Sequence, residues 1–306
     1  MVMARAVERR LWVMDRMRAA GAPAWPGVAG SEGVQVAAAA VLRPGVDWVV
    51  PSRGDLALCL ALGATPLDAM LGMLGRADDP TSGGRLAPGN FGSRRARILT
   101  TSEVLGAQVV HAAGLAYATR LRGLDEVTLL TIGERATETG DWHEGINVAA
   151  VHRLPLICLV QDRSGGPETP EPLDADRILA RAGGYGISGQ SLDRSDFDSA
   201  FTVLSRAVER ARSGDGPTLV HARVPQLTSR AADGSFLARE GLEAMARHDP
   251  IERMRLRLAE AGLLDESADR QVQLECIGAV EAALQQAFDA PLPQAARSLD
   301  NVFAES

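Results

Sequence analysis

The chain has 306 residues, 46% of them hydrophobic, enough to bury a substantial core as one large or two modest domains. Acidic residues outnumber cations 39 to 32, a net charge of −7, and the cations, all arginine, form no basic stripe; this argues against a nucleic-acid partner. Cys59, Cys158 and Cys276 are too few and too scattered for a disulfide framework or a zinc site, and no run approaches the roughly 20 apolar residues of a membrane span.

Residues 4–20 are amphipathic, with Val7, Leu11, Met14 and Met17 at helical spacing, and the pattern stops at Gly21. The whole amino-terminal stretch is charged and has no apolar signal core, so the expectation is a cytoplasmic chain with Cys59 and Cys158 as buried thiols. A Pro- and Gly-rich loop, 23–30, leads to Ser31 and Glu32, which start an Ala-rich helix reaching Leu42, with the acid near its positive end. A strand is expected over 48–53. Residues 56–74 read as helix interrupted at 63–66, and 78–97 form a long polar, Gly-rich loop, a kind that in compact domains is usually functional or disordered.

The chain is organised around residues 127–166. An apolar run over 127–132 breaks at Gly133, a helical segment covers 142–151, and a second apolar run covers 156–160. Both runs are continuous rather than alternating, as parallel strands covered on two faces require. Ligands of such sheets bind beyond the carboxyl ends of the strands, here Gly133-Glu134-Arg135 and the segment from Gln161 to Gly166. Helices over 174–183 and 196–211, a turn at 214–217 and a strand over 218–224 extend the alternation into a parallel α/β sheet. Residues 251–289 are mostly helix. The expected division is a single domain over 1–306, with amino-terminal helices and loop in 1–45, the α/β core in 46–250, and a helical extension and tail in 251–306.

The run GDWHEGINVAAVHRLP at 140–155 carries a family resemblance, reinforced by GSEGVQV from Gly30, RPG before Trp48, Gly89-Asn90-Phe91-Gly92-Ser93, the segment from Thr100 to Ala118, and RHDPIER at 247–253. Over about residues 5–265 the chain resembles the alpha subunit of the thiamine diphosphate dependent decarboxylating component of 2-oxo acid dehydrogenase complexes, of the pyruvate or branched-chain type. That resemblance implies a thiamine diphosphate binding fold with a mostly parallel sheet and helices on both faces. It implies thiamine diphosphate and Mg²⁺ as cofactors, and a beta subunit in an α2β2 assembly that supplies the activating Glu. A lipoyl-bearing acyltransferase would receive the acyl group, and the cofactor would serve as carbanion sink. Mapped onto this sequence, the cofactor-binding positions are Arg53, Glu103, Val104, Leu105, Gly133, Glu134, Arg135, Ala136 and Arg163, with Glu134 as the metal ligand.

The chemistry at several of these positions departs from the family. Where the family has an Asn pair that completes the metal site, this chain has Asp162 and Arg163, and a guanidinium cannot ligate a cation. The family's Ser-Tyr-Arg-Asp-His-Gly is Ser52-Arg53-Gly54-Asp55-Leu56-Ala57 here, Asn90 stands where His is usual, and the loop 224–234 lacks the family's His. Arg135 replaces a Gly that lets backbone approach phosphate. The expectation is therefore that Glu134 pairs with Arg163, and holds the strand ends together without metal; the competing picture is that the arginines grip an anion directly. Two rival functions follow: an inactive pseudoenzyme acting as a structural or regulatory partner of a beta-like chain, and a carboligase on the same scaffold. Among the histidines, His143 reads as a packing residue beside Glu144, His111 as a hydrogen-bonded core residue, and His152, His221 and His248 as residues at element ends.

Overall fold

The computed structural model of the protein describes residues 1–16, 27, 29–87, 89–100, 104–164, 175–192, 196–227 and 247–300. At its centre lie β1 (Trp48–Val50), β2 (Thr128–Gly133), β3 (Leu156–Asp162), β4 (Ser188–Leu192) and β5 (Thr218–Arg223). They form one sheet in the order β1-β2-β3-β5-β4, with every neighbouring pair parallel. The helices of the described residues are α1 (Val2–Arg16), α2 (Glu32–Ala40), α3 (Leu56–Ala61), α4 (Pro66–Leu74) and α5 (Ala107–Leu121), then α6 (Gly140–Val151), α7 (Ala175–Gly184), α8 (Phe197–Arg212), α9 (Pro250–Glu260) and α10 (Glu266–Asp289).

Side chains alternate across the pleat, so each strand feeds two cores. Leu129, Ile157, Leu159 and Val220 pack with α1 to α4, α8 and α10, while Leu130, Ile132, Cys158, Val160 and Leu219 pack with α5, α6 and α7. β3 is buried along its whole length, which is why its sequence, LICLVQD, shows no polar alternation until the end. The expected parallel sheet with helices on both faces is what the protein has. All three cysteines are buried free thiols.

Local chemistry sets the element ends. β1 stops at Val50, short of the expected 53, because Pro51 has no N–H to extend a ladder. The break between α3 and α4 lies where expected: Thr65 and Asp68 form a reciprocal capping box, with Pro66 in the first turn. Thr139 caps α6 by accepting from the Trp142 N–H. α5 and α6 approach closely because residue 145 is Gly; a Cβ there would sit 3.1 Å from the Val109 backbone. β4 begins at Ser188, after Tyr185, whose hydroxyl lies 2.5 Å from His143 Nδ1 and whose ring packs edge-on to Trp142. His111, expected in the core, is instead exposed on the outer side of α5, because the buried stripe of that helix runs through Val109, Ala112, Ala113 and Ala116.

α1 and the start of α9 are tied to α2. Arg5 of α1 donates to Glu32 at 2.5 Å and to both oxygens of Asp249, which in turn caps α9 through the Ile251 N–H. Glu32 also accepts from the Gly30 N–H at 2.7 Å. Ser31 precedes α2 but does not cap it with its hydroxyl; that oxygen is used elsewhere.

Candidate functional site

The carboxyl ends of β1, β2, β3 and β5 open on one edge of the sheet, as parallel pairing demands. Beneath that edge lies a closed polar cluster. Asp55, at the start of α3, accepts from Gln161 Nε2 at 2.8 Å, Gln35 Nε2 at 3.0 Å and the Ser52 N–H at 2.7 Å, and from the Thr131 hydroxyl. Gln35 Oε1 accepts the Ala57 N–H, satisfying a first-turn donor of α3. Asp55 is fully buried, and this burial pushes its carboxyl above the ordinary carboxylate range despite the Thr131, Gln161 and Ser52 hydrogen bonds. Sequence reasoning passed over Asp55 and Gln35, although the acid is the one position of Ser52-Arg53-Gly54-Asp55-Leu56-Ala57 after Ser52 where the family residue type stands in register.

At the end of β3, two successive side chains leave on opposite faces. Asp162 turns to the α5, α6 and α7 side, where it meets His221 Nε2 of β5 at 2.9 Å and accepts the Ser164 N–H at 2.8 Å; its carbonyl accepts from the Val224 N–H. Burial alone would raise its carboxyl, but the His221 and Ser164 hydrogen bonds outweigh it and hold it below the usual range. His221 Nδ1 is buried without a hydrogen-bond partner among the described residues. This pair was not foreseen, yet the signal was present: one acid and one histidine interrupting adjacent apolar strands.

Arg163 leaves on the α2 side. Its guanidinium donates to the Gly27 carbonyl at 2.5 Å and to Ser31 Oγ at 3.3 Å. The expected ion pair with Glu134 does not form. A strand's side chains stand normal to the sheet while its N–H groups lie in the plane, so it is the Arg163 backbone N–H that faces Glu134, at 3.5 Å, and the guanidinium points away. Glu134 itself is 8% exposed and has no ion pair within 4 Å among the described residues.

The other expected site positions are distributed around this corner. Gly133 pairs in register with Gln161, and Glu134 to Glu138 form a single 3-10 turn that buries Ala136 and exposes Arg135 to solvent. Arg53 lies at the exit of β1 against Gly89, whose added Cβ would sit 3.2 Å from Arg53 Cγ. Val104 and Leu105 are exposed, 63% and 55%, just before α5, and the adjoining Gly106 lies against Thr139 of the turn after β2. Glu103 lies outside the described residues, as do residues 228–246. Arg53, Gly133, Glu134 and Arg163 are thus gathered at the ends of three neighbouring strands, with Val104 and Leu105 beside the turn that follows β2.

The donor set does not fit a divalent metal. Mg²⁺ requires several oxygen ligands in near-octahedral array. Here Glu134 contributes a carboxylate, the second family position is a guanidinium, and Asp162 is turned to the other face and committed to His221 and Ser164. Among the described residues no three His, Cys, Asp or Glu side chains are grouped for a metal.

A parallel α/β sheet of this kind, with a polar corner built from two strand ends bracketing one helix, belongs to the class of folds in which ligands bind at the carboxyl edge of the sheet. The comparison with known families makes this specific: the chain belongs to the dehydrogenase E1 component family, whose model matches residues 1–296. Within it, the chain is similar to 2-oxoisovalerate dehydrogenase subunit alpha of Bacillus subtilis, at 34% identity over all of this chain and 93% of that one. It is 32% identical to 3-methyl-2-oxobutanoate dehydrogenase subunit alpha of Mycobacterium tuberculosis over 90% of this chain and 74% of the other. Pyruvate dehydrogenase E1 component subunit alpha of Acholeplasma laidlawii is 28% identical over 82% and 71%. Among solved structures, benzoylformate decarboxylase from Polynucleobacter necessarius overlaps 63% of this chain and 32% of its own, with 15% identity and a TM-score of 0.42. Among the described residues no helix is long and apolar enough to cross a membrane.

Proposed function

We propose that the chain is the alpha-type subunit of a cytoplasmic assembly that oxidatively decarboxylates a 2-oxo acid with thiamine diphosphate, paired with a beta-type chain as α2β2. The full-length likeness to alpha subunits carries this reading. The surface supports it. Val110, Gly114, Tyr117 and Leu121 recur at helical spacing along α5, and the three large side chains among them are exposed, as are Val148 and Val151 on the adjoining α6. An apolar stripe of this kind suits a partner chain. When bound, thiamine diphosphate supplies the electron sink for decarboxylation; this chain's contribution is the strand-end scaffold, while the acyl group would pass to a lipoyl-bearing acyltransferase.

A second reading is favoured by one observation, the guanidinium at the second metal position: the same α2β2 partner without catalytic competence of its own. Coexpression with a beta-type chain separates the two. Copurification at equal stoichiometry, with CO2 released from 3-methyl-2-oxobutanoate or pyruvate, supports the enzyme. Copurification without CO2 release, in the presence of thiamine diphosphate and Mg²⁺, supports the silent partner, and failure to copurify overturns both.

A further inference from the structure

Gly27 and residues 29–31 are held from three directions at the edge where the strands end. The Ala29 N–H donates to Glu8 of α1 at 2.8 Å, the Gly30 N–H donates to Glu32, and the Ala29 carbonyl accepts from the Leu227 N–H beyond β5. Gly30, at φ +106°, lies so close to the β5 exit that a Cβ would fall 1.9 Å from the Pro225 carbonyl oxygen. Across the gap to β3, the hydrogen bonds of the described residues come from Arg163, which reaches both ends of the loop, Gly27 and Ser31.

We propose that Arg163 is the resident cation of this corner: its guanidinium straps Gly27 and Ser31 to the carboxyl end of β3, and Glu134 serves no divalent metal. Three observations converge on it. The guanidinium occupies the sequence position that would complete a metal site, and it is permanently charged. Arg163 is also the cation whose charge acts on the buried Asp55 carboxyl. Both terminal nitrogens are engaged by oxygens of one short loop, a forked arrangement that a lysine's single ammonium reproduces poorly. A metal entering beside Glu134 would meet this fixed positive charge as well as a ligand set short of oxygens.

The inference concerns the isolated chain and stands apart from pairing with a beta chain. Two measurements on the purified full-length protein test it. The first is Mn²⁺ titration followed by electron paramagnetic resonance: the wild type is expected to show no saturable Mn²⁺ that Glu134→Gln removes. One equivalent of bound Mn²⁺, lost in Glu134→Gln, overturns the proposal. The second is amide hydrogen exchange in Arg163→Met, which keeps the stem and deletes the fork. Exchange at Ala29 and Gly30 is expected to rise about tenfold while β4 amides stay unchanged; wild-type exchange at those two positions overturns the strap. Should Arg163→Met not fold, Ser31→Ala removes one arm alone. It is expected to raise exchange at the same amides about threefold, and no change in it is equally fatal. Loss of copurification with a beta chain, by contrast, would sink the proposed function and leave this inference untouched.

Discussion

Two buried acids sit at opposite ends of β2, and their surroundings differ in kind. Asp47, beside the amino end, has a side chain closed off from solvent and is saturated: Arg212 pairs with it at 2.5 Å, and it accepts the Arg43 N–H at 2.7 Å and the Val127 N–H at 3.0 Å. Glu134, beside the carboxyl end, is nearly as buried but receives, among the described residues, a single long hydrogen bond from the Arg163 N–H. A buried charge with every lone pair occupied is structural, since its interactions offset the cost of taking it out of water. One left so lightly partnered has its capacity in reserve. Among the described residues, the acid at the amino end is therefore finished as architecture, while Glu134 at the carboxyl end is not.

Removing the saturated acid should be the most damaging change. Asp47→Ala leaves the mostly buried Arg212 guanidinium with Asp125 as its remaining acid and strips two backbone N–H groups of their acceptor, and is expected to lower the unfolding free energy by about 3 kcal/mol in urea denaturation. A loss below about 1 kcal/mol would show that the amino end is no more completed than the carboxyl end.

The intermediate case is Asp162, at the carboxyl edge but saturated like Asp47. Its carboxyl titrates below the usual range because His221 and Ser164 outweigh the opposing effect of burial. A carboxyl lowered in the folded state adds stability that is present above its unfolded value, near pH 4, and is lost as pH falls through the folded value. Asp162→Asn is therefore expected to cost about 2 kcal/mol at pH 6, with the gap to wild type shrinking as pH drops below about 4. A gap that holds constant from pH 6 to pH 3 would contradict the assignment. Asp55 runs the other way, since burial raises its carboxyl: its contribution worsens as pH rises from about 4.

The same contrast explains what could be read from residues alone. The central strand, helix, strand unit was legible because its two apolar runs and intervening helix are local, and the bracketing turns fixed where the site edge had to be. Contacts between distant residues were not legible: nothing in the sequence announces that Arg5 meets Asp249, 244 positions away. The direction taken by Arg163 was misjudged for a subtler reason. Opposite charges at neighbouring strand ends suggest a pair, but whether side chains or backbone groups face each other depends on pleat and register, which the sequence does not print. His111 shows a related limit, because an apolar helix does not reveal which of its faces lies outward.

The smallest expected effect is the most telling. Glu134→Gln keeps the shape and the acceptor for the Arg163 N–H while removing a charge that has no ion pair within 4 Å among the described residues. Deleting a buried, weakly partnered charge removes a desolvation cost and sacrifices little, so the variant should unfold within about 0.5 kcal/mol of wild type, or somewhat above it. If it instead costs as much as Asp47→Ala, then Glu134 is a structural acid and the two ends of β2 are alike. If the substitution is silent for stability, the acid has been kept at this strand end for something other than folding, and Arg163 beside it decides what that can be.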